Sequence, residues 1–192
     1  MLFLFPLLLN SKSLKLTIMG IGIALNIIGA FIALNLRLPI YLDSIGTIMV
    51  GFVLGPVYGM ATGVLGSVVS GITFDIYSLY FAPVQIFTGF FAGYFYEKGL
   101  MKGKKLFLSV FVMTLFVSFT GACLTAYIFG GITSSGSSYI IVILNNLGVN
   151  PVVSAFITQF LTDYCDKLVA VLIMLQVVVR LPKNILLRVQ NN

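Results

Sequence analysis

The stretch from Leu42 to Ile72 constrains the fold of this chain more than any other, because it is apolar enough for a membrane yet interrupted by Gly55-Pro56. As one helix its roughly 31 residues would measure about 46 Å, too long for a single span without heavy tilt. Glycines recur on both sides of the interruption, at Gly51, Gly55, Gly59, Gly63 and Gly66. Because small residues let membrane helices approach closely, the pattern predicts a tight hairpin of two short helices. A single kinked helix is the alternative.

The composition indicates an integral membrane protein. Of the 192 residues, 59% are hydrophobic and 8% are charged, whereas soluble domains carry about 25% charged residues. The sequence contains no histidine, which excludes His-based metal sites and Ser-His or Cys-His catalysis. It also lacks a Walker A motif, a GxSxG motif and any cluster with metal-ligand spacing. We therefore expect neither an enzyme nor a metal site.

The hydrophobic pattern predicts a single all-α membrane domain over residues 1–192, a compact bundle of six transmembrane helices. The predicted helices are residues 16–34, 44–54, 57–72, 79–96, 106–129 and 151–179. The apolar start, MLFLFPLLLN, lacks the basic flank of a signal peptide and is interpreted as an interfacial or frayed segment. A short re-entrant or surface helix is expected at 139–147.

The basic residues orient the bundle. Six spans place both termini on one side, and nine basic residues then share that side: Lys12, Lys15, Lys98, Lys102, Lys104, Lys105, Arg180, Lys183 and Arg188. Only Arg37 falls on the opposite side. This asymmetry satisfies the positive-inside rule and predicts that both termini are cytoplasmic. The net charge of +6 is thereby explained by topology and contact with the lipid bilayer, so no nucleic-acid partner is expected.

The sixth predicted helix carries the strongest group of polar residues. Gln159, Asp163 and Lys167 recur every four residues and share one helix face. Asp163 precedes Lys167 in the order that favours a helical ion pair, while Asp166 points elsewhere on the helix. Charges within a membrane are costly and are functional candidates. Two interpretations stay open: an ion pair that only holds helices together, or the wall of a polar cavity in the outer half of the bundle.

Further polar residues are predicted to lie at the same level of the membrane. The candidate binding residues outside the sixth helix are Asn35, Arg37, Tyr41, Asp43, Asp75, Tyr77, Tyr80, Gln85, Asn145 and Asn146. Ligand sites combine an apolar, aromatic lining with a few polar groups, and this mixture fits that description. For each residue alone, a hydrated loop or a helix cap is the simpler explanation.

The first predicted helix contains small residues four positions apart, Gly20 with Ala24 and Gly29 with Ala33. Such spacing marks a close helix–helix contact. It predicts either packing within the bundle or, at Gly20 and Ala24, a docking face for another membrane protein.

Taken together these features resemble the substrate-binding S components of energy-coupling factor (ECF) transporters, the vitamin importers of bacteria and archaea. The resemblance rests on the LGPVYG turn from Leu54 to Gly59 and the Gly-rich helix after it. It rests also on the six spans with both termini inside, the small residues of the first helix, and the Asp166-Lys167 pair.

The resemblance implies a substrate-binding subunit in the cell membrane of a prokaryote. Such a subunit captures its ligand in the outer half, under the loop between the first two helices. It then docks through its first helix on a transmembrane T component that carries two cytoplasmic ATPases, and topples to release the ligand inside. ATP is used by those partners, so no cofactor is expected on this chain.

The implied substrate is a small water-soluble vitamin or a nucleobase- or nucleoside-like compound, because Asn, Gln and Asp side chains suit a hydrogen-bonding heterocycle. The absence of histidine argues against a nickel or cobalt transporter. An alternative function is a stand-alone, ion-coupled secondary transporter of a small solute. In that case Asp163, Asp166 and Lys167 would form an ion relay.

Overall fold

The computed structural model describes residues 11–130 and 133–182 of the chain. Within those residues the fold is all-α, as predicted, with eight α-helices and no β-strand. The helices are α1 (Ser11–Asn35), α2 (Ile45–Leu54), α3 (Pro56–Thr73), α4 (Ile76–Tyr80), α5 (Ala82–Glu97), α6 (Lys104–Cys123), α7 (Ser138–Asn146) and α8 (Pro151–Val179). The start MLFLFPLLLN and the basic residues Lys183 and Arg188 lie outside the described residues, so the location of both termini stays a prediction.

The chain reverses direction at Gly55. This glycine has a φ of 90°, which L side chains rarely adopt, and Pro56 begins α3 at a position where a missing N–H costs nothing. A Cβ placed on Gly59 would lie 3.0 Å from the Cα of Gly51. Residues eight apart in one continuous helix would be far too distant for that contact. The structure therefore has the helical hairpin rather than a kinked helix.

Glycines also bring α5 against this hairpin, backbone to backbone. A Cβ on Gly89 would collide with the backbone of Gly59, and a Cβ on Gly93 would collide with Gly55 and Pro56. Close approach of this kind relies on dispersion contacts between backbones, which apolar lipid cannot replace. The three helices form one rigid half of the bundle, and the apolar core continues from them to α6 and α8.

The small residues of α1 divide between two faces. Gly22, Gly29 and Ala33 are buried against the bundle, and Gly22 lies so close to Gly46 that a Cβ on Gly46 would collide with the Gly22 carbonyl. Gly20 and Ala24 are exposed on the outer face. Among the described residues the first of the two sequence pairs is thus exposed, and the second serves internal packing.

The predicted span at 79–96 is two helices in the structure, α4 and α5, separated at Phe81. Pro83 has no N–H and cannot make the bond to residue 79 that would continue α4. At the same end of the bundle, where Phe129 contacts Phe81, α6 continues directly into a π-helical turn, Leu124–Ile128. Such turns occur frequently at functional sites.

Two helical segments are long and apolar enough to cross a membrane, Lys12–Asn35 and Lys104–Ile128. α8 has the length, at 29 residues, but three charged side chains interrupt its apolar sequence. Large apolar side chains are exposed on the outer faces of the described helices, including Leu16, Ile28, Leu108 and Phe119. A lipid environment explains such a surface. The count of six spans stays a prediction.

The contact between α1 and α2 generates a stability prediction. We expect Gly46→Ala to destabilise the protein by about 1–3 kcal/mol or more, because the added methyl overlaps the Gly22 backbone. Gly20→Ala is the matched control, since a Cβ there meets nothing within 4 Å. Thermal unfolding in detergent measures both variants. Equal melting temperatures for the two would contradict the close contact.

Candidate functional site

A buried ion pair on α8 ties that helix to the connector that leads into α2. Lys167, only 2% exposed, donates to Asp166 Oδ2 at 2.8 Å and to Ser44 Oγ at 2.8 Å. Its Nζ also lies 3.9 Å from Asp43 Oδ1. The other oxygen of Asp166 accepts the backbone N–H of Leu42 at 3.0 Å. The two sides of the pair therefore hold residues 42–44 directly against α8.

This arrangement corrects the predicted pairing on α8. The i, i+4 rule favours Asp163 as the partner of Lys167, but the ion pairs of Lys167 in the structure are with Asp166 and Asp43. Asp163 is instead engaged from α6, where the Ser118 hydroxyl donates to its Oδ2 at 2.8 Å. A tertiary contact outweighs the few tenths of a kcal/mol that a helical pair contributes.

The connector from Leu36 to Ser44 has an unusual backbone. Arg37 and Leu42 have positive φ values of 50° and 52°, an uncommon conformation for residues other than glycine. The Leu42 carbonyl also packs onto Gly29, where a Cβ would collide with it. The Leu42 backbone is therefore fixed from α1 and α8 together, which explains how a strained residue persists there.

A second buried network supports the connector from below. Asn26 on α1 donates to Thr47 Oγ1 at 2.8 Å and accepts the N–H of Gly46 at 2.8 Å. Thr47 then donates to Gln85 at 2.9 Å, and Gln85 donates to the Asp43 carbonyl at 3.3 Å. Three helices thus position Asp43. Asn26 was not among the predicted site residues, although an asparagine inside an apolar span was a signal in the sequence.

The ion pair borders a cavity of about 480 Å³, open mouth included. That figure includes open solvent; the space that the centre of a water-sized sphere can enter is about 40 Å³, well below the ~300–1,000 Å³ of small-molecule sites. The cavity is lined by Tyr41, Asp43, Asp75, Tyr77, Ser78, Phe81, Val84, Gly121, Thr133, Ser134, Gln159, Asp163 and Lys167. Both interpretations of the polar residues on α8 therefore apply. Asp166 and Lys167 form an ion pair that holds the helix to the connector, and Gln159 and Asp163 line the cavity.

The structure brings seven of the predicted binding residues together at this cavity: Tyr41, Asp43, Asp75, Tyr77, Gln159, Asp163 and Lys167. It places six elsewhere: Asn35, Arg37, Tyr80, Gln85, Asn145 and Asn146. Asn35 and Arg37 line an outer groove beside α7. Tyr80 is 47% exposed, Gln85 is buried in the network under Asp43, and the two asparagines end α7. Loop residues near a site in sequence need not face it, because the turn of the backbone decides their direction.

Two residues of the cavity wall carry buried acceptor atoms without hydrogen-bond partners among the described residues. Gln159 donates to Thr125 in the π-helical turn at 2.6 Å, while its Oε1 has no hydrogen-bond partner in the described part of the chain. Asp43 Oδ1 is likewise buried without a hydrogen bond there. Burial raises the pKa of Asp43, with the charge of Lys167 acting against that rise. Unpaired buried acceptors are costly, so each one favours a ligand that donates a proton to it.

Aromatic rings form the opposite side of the cavity. Tyr77 and Phe81 line it, and both contact Phe129, with ring centroids 4.8 Å and 6.1 Å away. Tyr41 lies 6.4 Å from Phe81. Burial and the Asp163 carboxylate raise the pKa of Tyr41 to about 12, so its hydroxyl stays protonated. This side offers flat apolar surface for a ring.

The serine-rich loop before α7 closes the rim of the cavity, a role that its Gly/Ser composition did not predict. Ser134 and Ser78 both donate to Asp75 Oδ2, at 3.0 Å and 3.1 Å. The loop also contacts the connector, where the Tyr41 hydroxyl lies 3.5 Å from Ser137 Oγ, and Arg37 of the connector donates to Tyr139 in α7 at 3.3 Å. The lining residues that sequence reasoning missed are Ser78, Phe81, Val84, Gly121, Thr133 and Ser134.

Comparison with known proteins identifies one family. A sequence profile described as "ECF transporter, substrate-specific component" matches residues 14–189. This range includes the cavity and nearly all of the described helices. Searches among curated proteins and among solved structures gave no match.

The buried ion pair generates a stability prediction. We expect Lys167→Met to destabilise the protein by about 3–5 kcal/mol, because it leaves the Asp166 carboxylate buried without its counter-charge. Adding Asp166→Asn to that variant removes the orphaned charge and should restore much of the loss. Lys102→Met, at an exposed lysine, is the control. Thermal unfolding in detergent provides the measurement, and an unchanged melting temperature for Lys167→Met would contradict the clamp.

Proposed function

Because the chain belongs to the substrate-specific components of ECF transporters, we propose that it captures a small water-soluble vitamin or a nucleobase- or nucleoside-like compound from outside the cell. The compound is then delivered inward through partner subunits: a transmembrane T component and two ATPases. The chain itself acts as the binding subunit in the cell membrane of a prokaryote, without catalysis and without a cofactor of its own.

The observation that carries this proposal is the unpaired amide oxygen of Gln159. The Gln159 side chain is only 2% exposed. Its amide nitrogen donates to Thr125, whereas its amide oxygen, at the cavity wall, has no hydrogen-bond partner among the described residues. A purely structural glutamine would be expected to satisfy both ends. A preorganised free acceptor is what a binding subunit needs, because the ligand supplies the missing donor on arrival.

The connector from Leu36 to Ser44 and the loop at 133–137 are proposed as the two sides of the entrance. They meet through long hydrogen bonds from Arg37 and Tyr41 and through backbone contact between Gly136 and Arg37. Contacts of this strength break and re-form readily. Entry would then require parting the two loops while the helices stay in place.

The exposed face of α1 is proposed as the docking surface for the T component. Gly20 has no neighbour within 4 Å of a Cβ built on it, and Ala24 is exposed one turn later. Glycine costs about 1 kcal/mol of helix propensity, and no contact with the described residues compensates for it at Gly20. A close approach by a partner helix provides the reason for a small residue there.

The buried charges on α8 support a second candidate function, a stand-alone ion-coupled transporter. Asp163 beside the Asp166–Lys167 pair could carry an ion. Reconstitution of the chain alone in proteoliposomes separates the two functions. Solute uptake driven by an ion gradient without ATPase subunits would favour the second candidate, and uptake only in their presence favours the first.

The binding function is tested at Gln159. We expect protein purified from its own host to carry a small molecule in native mass spectrometry, and Gln159→Leu to reduce the occupied fraction at least tenfold through loss of a buried hydrogen bond. Gln176→Leu, on an exposed turn of the same helix, is the matched control. Undiminished occupancy in Gln159→Leu would contradict this binding site.

The docking function is tested on α1. Gly20→Phe should abolish ATP-dependent uptake in cells that contain all subunits and leave ligand occupancy of the purified chain unchanged, since the side chain blocks only the outer face. Leu108→Phe, at an exposed position of α6, controls for added bulk. Normal uptake by Gly20→Phe would remove this face from the docking surface.

A further inference from the structure

The acidic residues of the chain are concentrated at the cavity. The sequence contains five, and three of them, Asp43, Asp75 and Asp163, line the void. A fourth, Asp166, lies directly behind it in the ion pair with Lys167. Only Glu97 lies elsewhere, at the exposed end of α5. A chain with a net charge of +6 thus places almost all of its negative charge around one hollow.

The single cation in the lining does not offset these carboxylates. Lys167 is 2.8 Å from Asp166 and 2.8 Å from Ser44, but 3.9 Å from Asp43. Its charge is therefore shared first with the carboxylate behind the wall. Three carboxyl groups, those of Asp43, Asp75 and Asp163, therefore line the cavity against one lysine that is already paired, in a region of low dielectric where a positively charged donor stabilises an ionised carboxylate.

The hydrogen-bonding capacity left on the wall consists mainly of acceptors. Gln159 Oε1 and Asp43 Oδ1 have no hydrogen-bond partner within the described residues. One oxygen of Asp163 accepts from Ser118, which leaves the other for a ligand. Three nearby donors already have partners: the Gln159 amide donates to Thr125, and Ser78 and Ser134 donate to Asp75.

We infer that the substrate is an organic cation, a small molecule whose positively charged N–H group, such as an amine, an amidine or an aminated heterocycle, is held by Asp163, Asp43 and Gln159. The inference deepens the proposed function and rests on it. Charge-assisted hydrogen bonds to carboxylates are the stronger kind. Tyr77 and Phe81 on the opposite side add flat surface for a ring and for cation–π contact. An anionic substrate would meet three carboxyl groups and one lysine that is already paired with Asp166.

The experiment separates the substrate by charge. The small-molecule fraction of yeast extract is divided by ion exchange at neutral pH into cationic, neutral and anionic pools. Each pool is added to the purified full-length protein in detergent, and the melting temperature is measured. We expect the cationic pool to raise it, since a ligand that binds only the folded state stabilises that state. Sodium and potassium chloride at matched ionic strength should have no such effect.

Variants locate the interaction. Asp163→Asn should require at least about tenfold more of the cationic pool for half of the maximal shift, as expected for loss of one charged contact. Asp75→Asn, at the half-buried rim, provides the same readout if Asp163→Asn does not fold. Glu97→Gln is the matched control, because it removes a carboxylate away from the cavity.

Each outcome is decisive. A shift only with the anionic or neutral pool overturns the charge inference and leaves the proposed function intact, as does an unchanged response in both aspartate variants. A shift with sodium or potassium salt alone overturns it in favour of an inorganic ion. No shift with any pool overturns the proposed function together with the inference.

Discussion

The Asp166–Lys167 pair is the interaction on which the rest of this site depends. It is buried on α8, yet both of its residues also form hydrogen bonds with a distant part of the chain. Asp166 accepts the N–H of Leu42, and Lys167 donates to the hydroxyl of Ser44. Buried ion pairs contribute little net stability compared with apolar packing. What this pair supplies is position, because it fixes the connector over α8 and so determines where Asp43 meets the cavity.

A second unit of the bundle is held together by glycines, which have no side chain to separate the helices. The glycines of α2, α3 and α5 bring three backbones together, and this close packing leaves little freedom for those helices to shift. Gln85 belongs to α5 of that packed unit, and its side chain donates a hydrogen bond to the Asp43 carbonyl. The cavity thus lies between this packed unit, whose α5 contributes Val84 to the lining, and the charged clamp on α8.

Much of this could be predicted from sequence, and the limits have physical reasons. The helical hairpin followed from Gly55-Pro56, because few backbones accommodate that pair within a helix. The polar face of α8 followed from four-residue spacing. The partner of Lys167 could not be predicted in this way. Helical spacing favours Asp163, but it gives no information about Ser118 of α6, which donates to Asp163. The rim residues Thr133 and Ser134 were missed because a Gly/Ser segment carries no periodicity, and its path is set by Asp75 and the connector. Asn35 and Arg37 were assigned to the site because they were expected at the same level of the membrane, but a shared level does not fix which groove a residue lines, and both line the outer groove beside α7.

The connector is held unequally along its length. Its last residues are fixed by the charged clamp and by the backbone of Gly29. Its first residues continue from α1, where the Leu36 and Leu38 N–H groups donate to Ile32 and Ala33 at 3.0 Å and 2.9 Å. The side-chain hydrogen bonds across the gap are longer, at 3.3 Å from Arg37 to Tyr139 and 3.5 Å between Tyr41 and Ser137. Substitutions of Arg37 or Tyr41 therefore change the contact with α7 and its preceding loop without removing a backbone hydrogen bond.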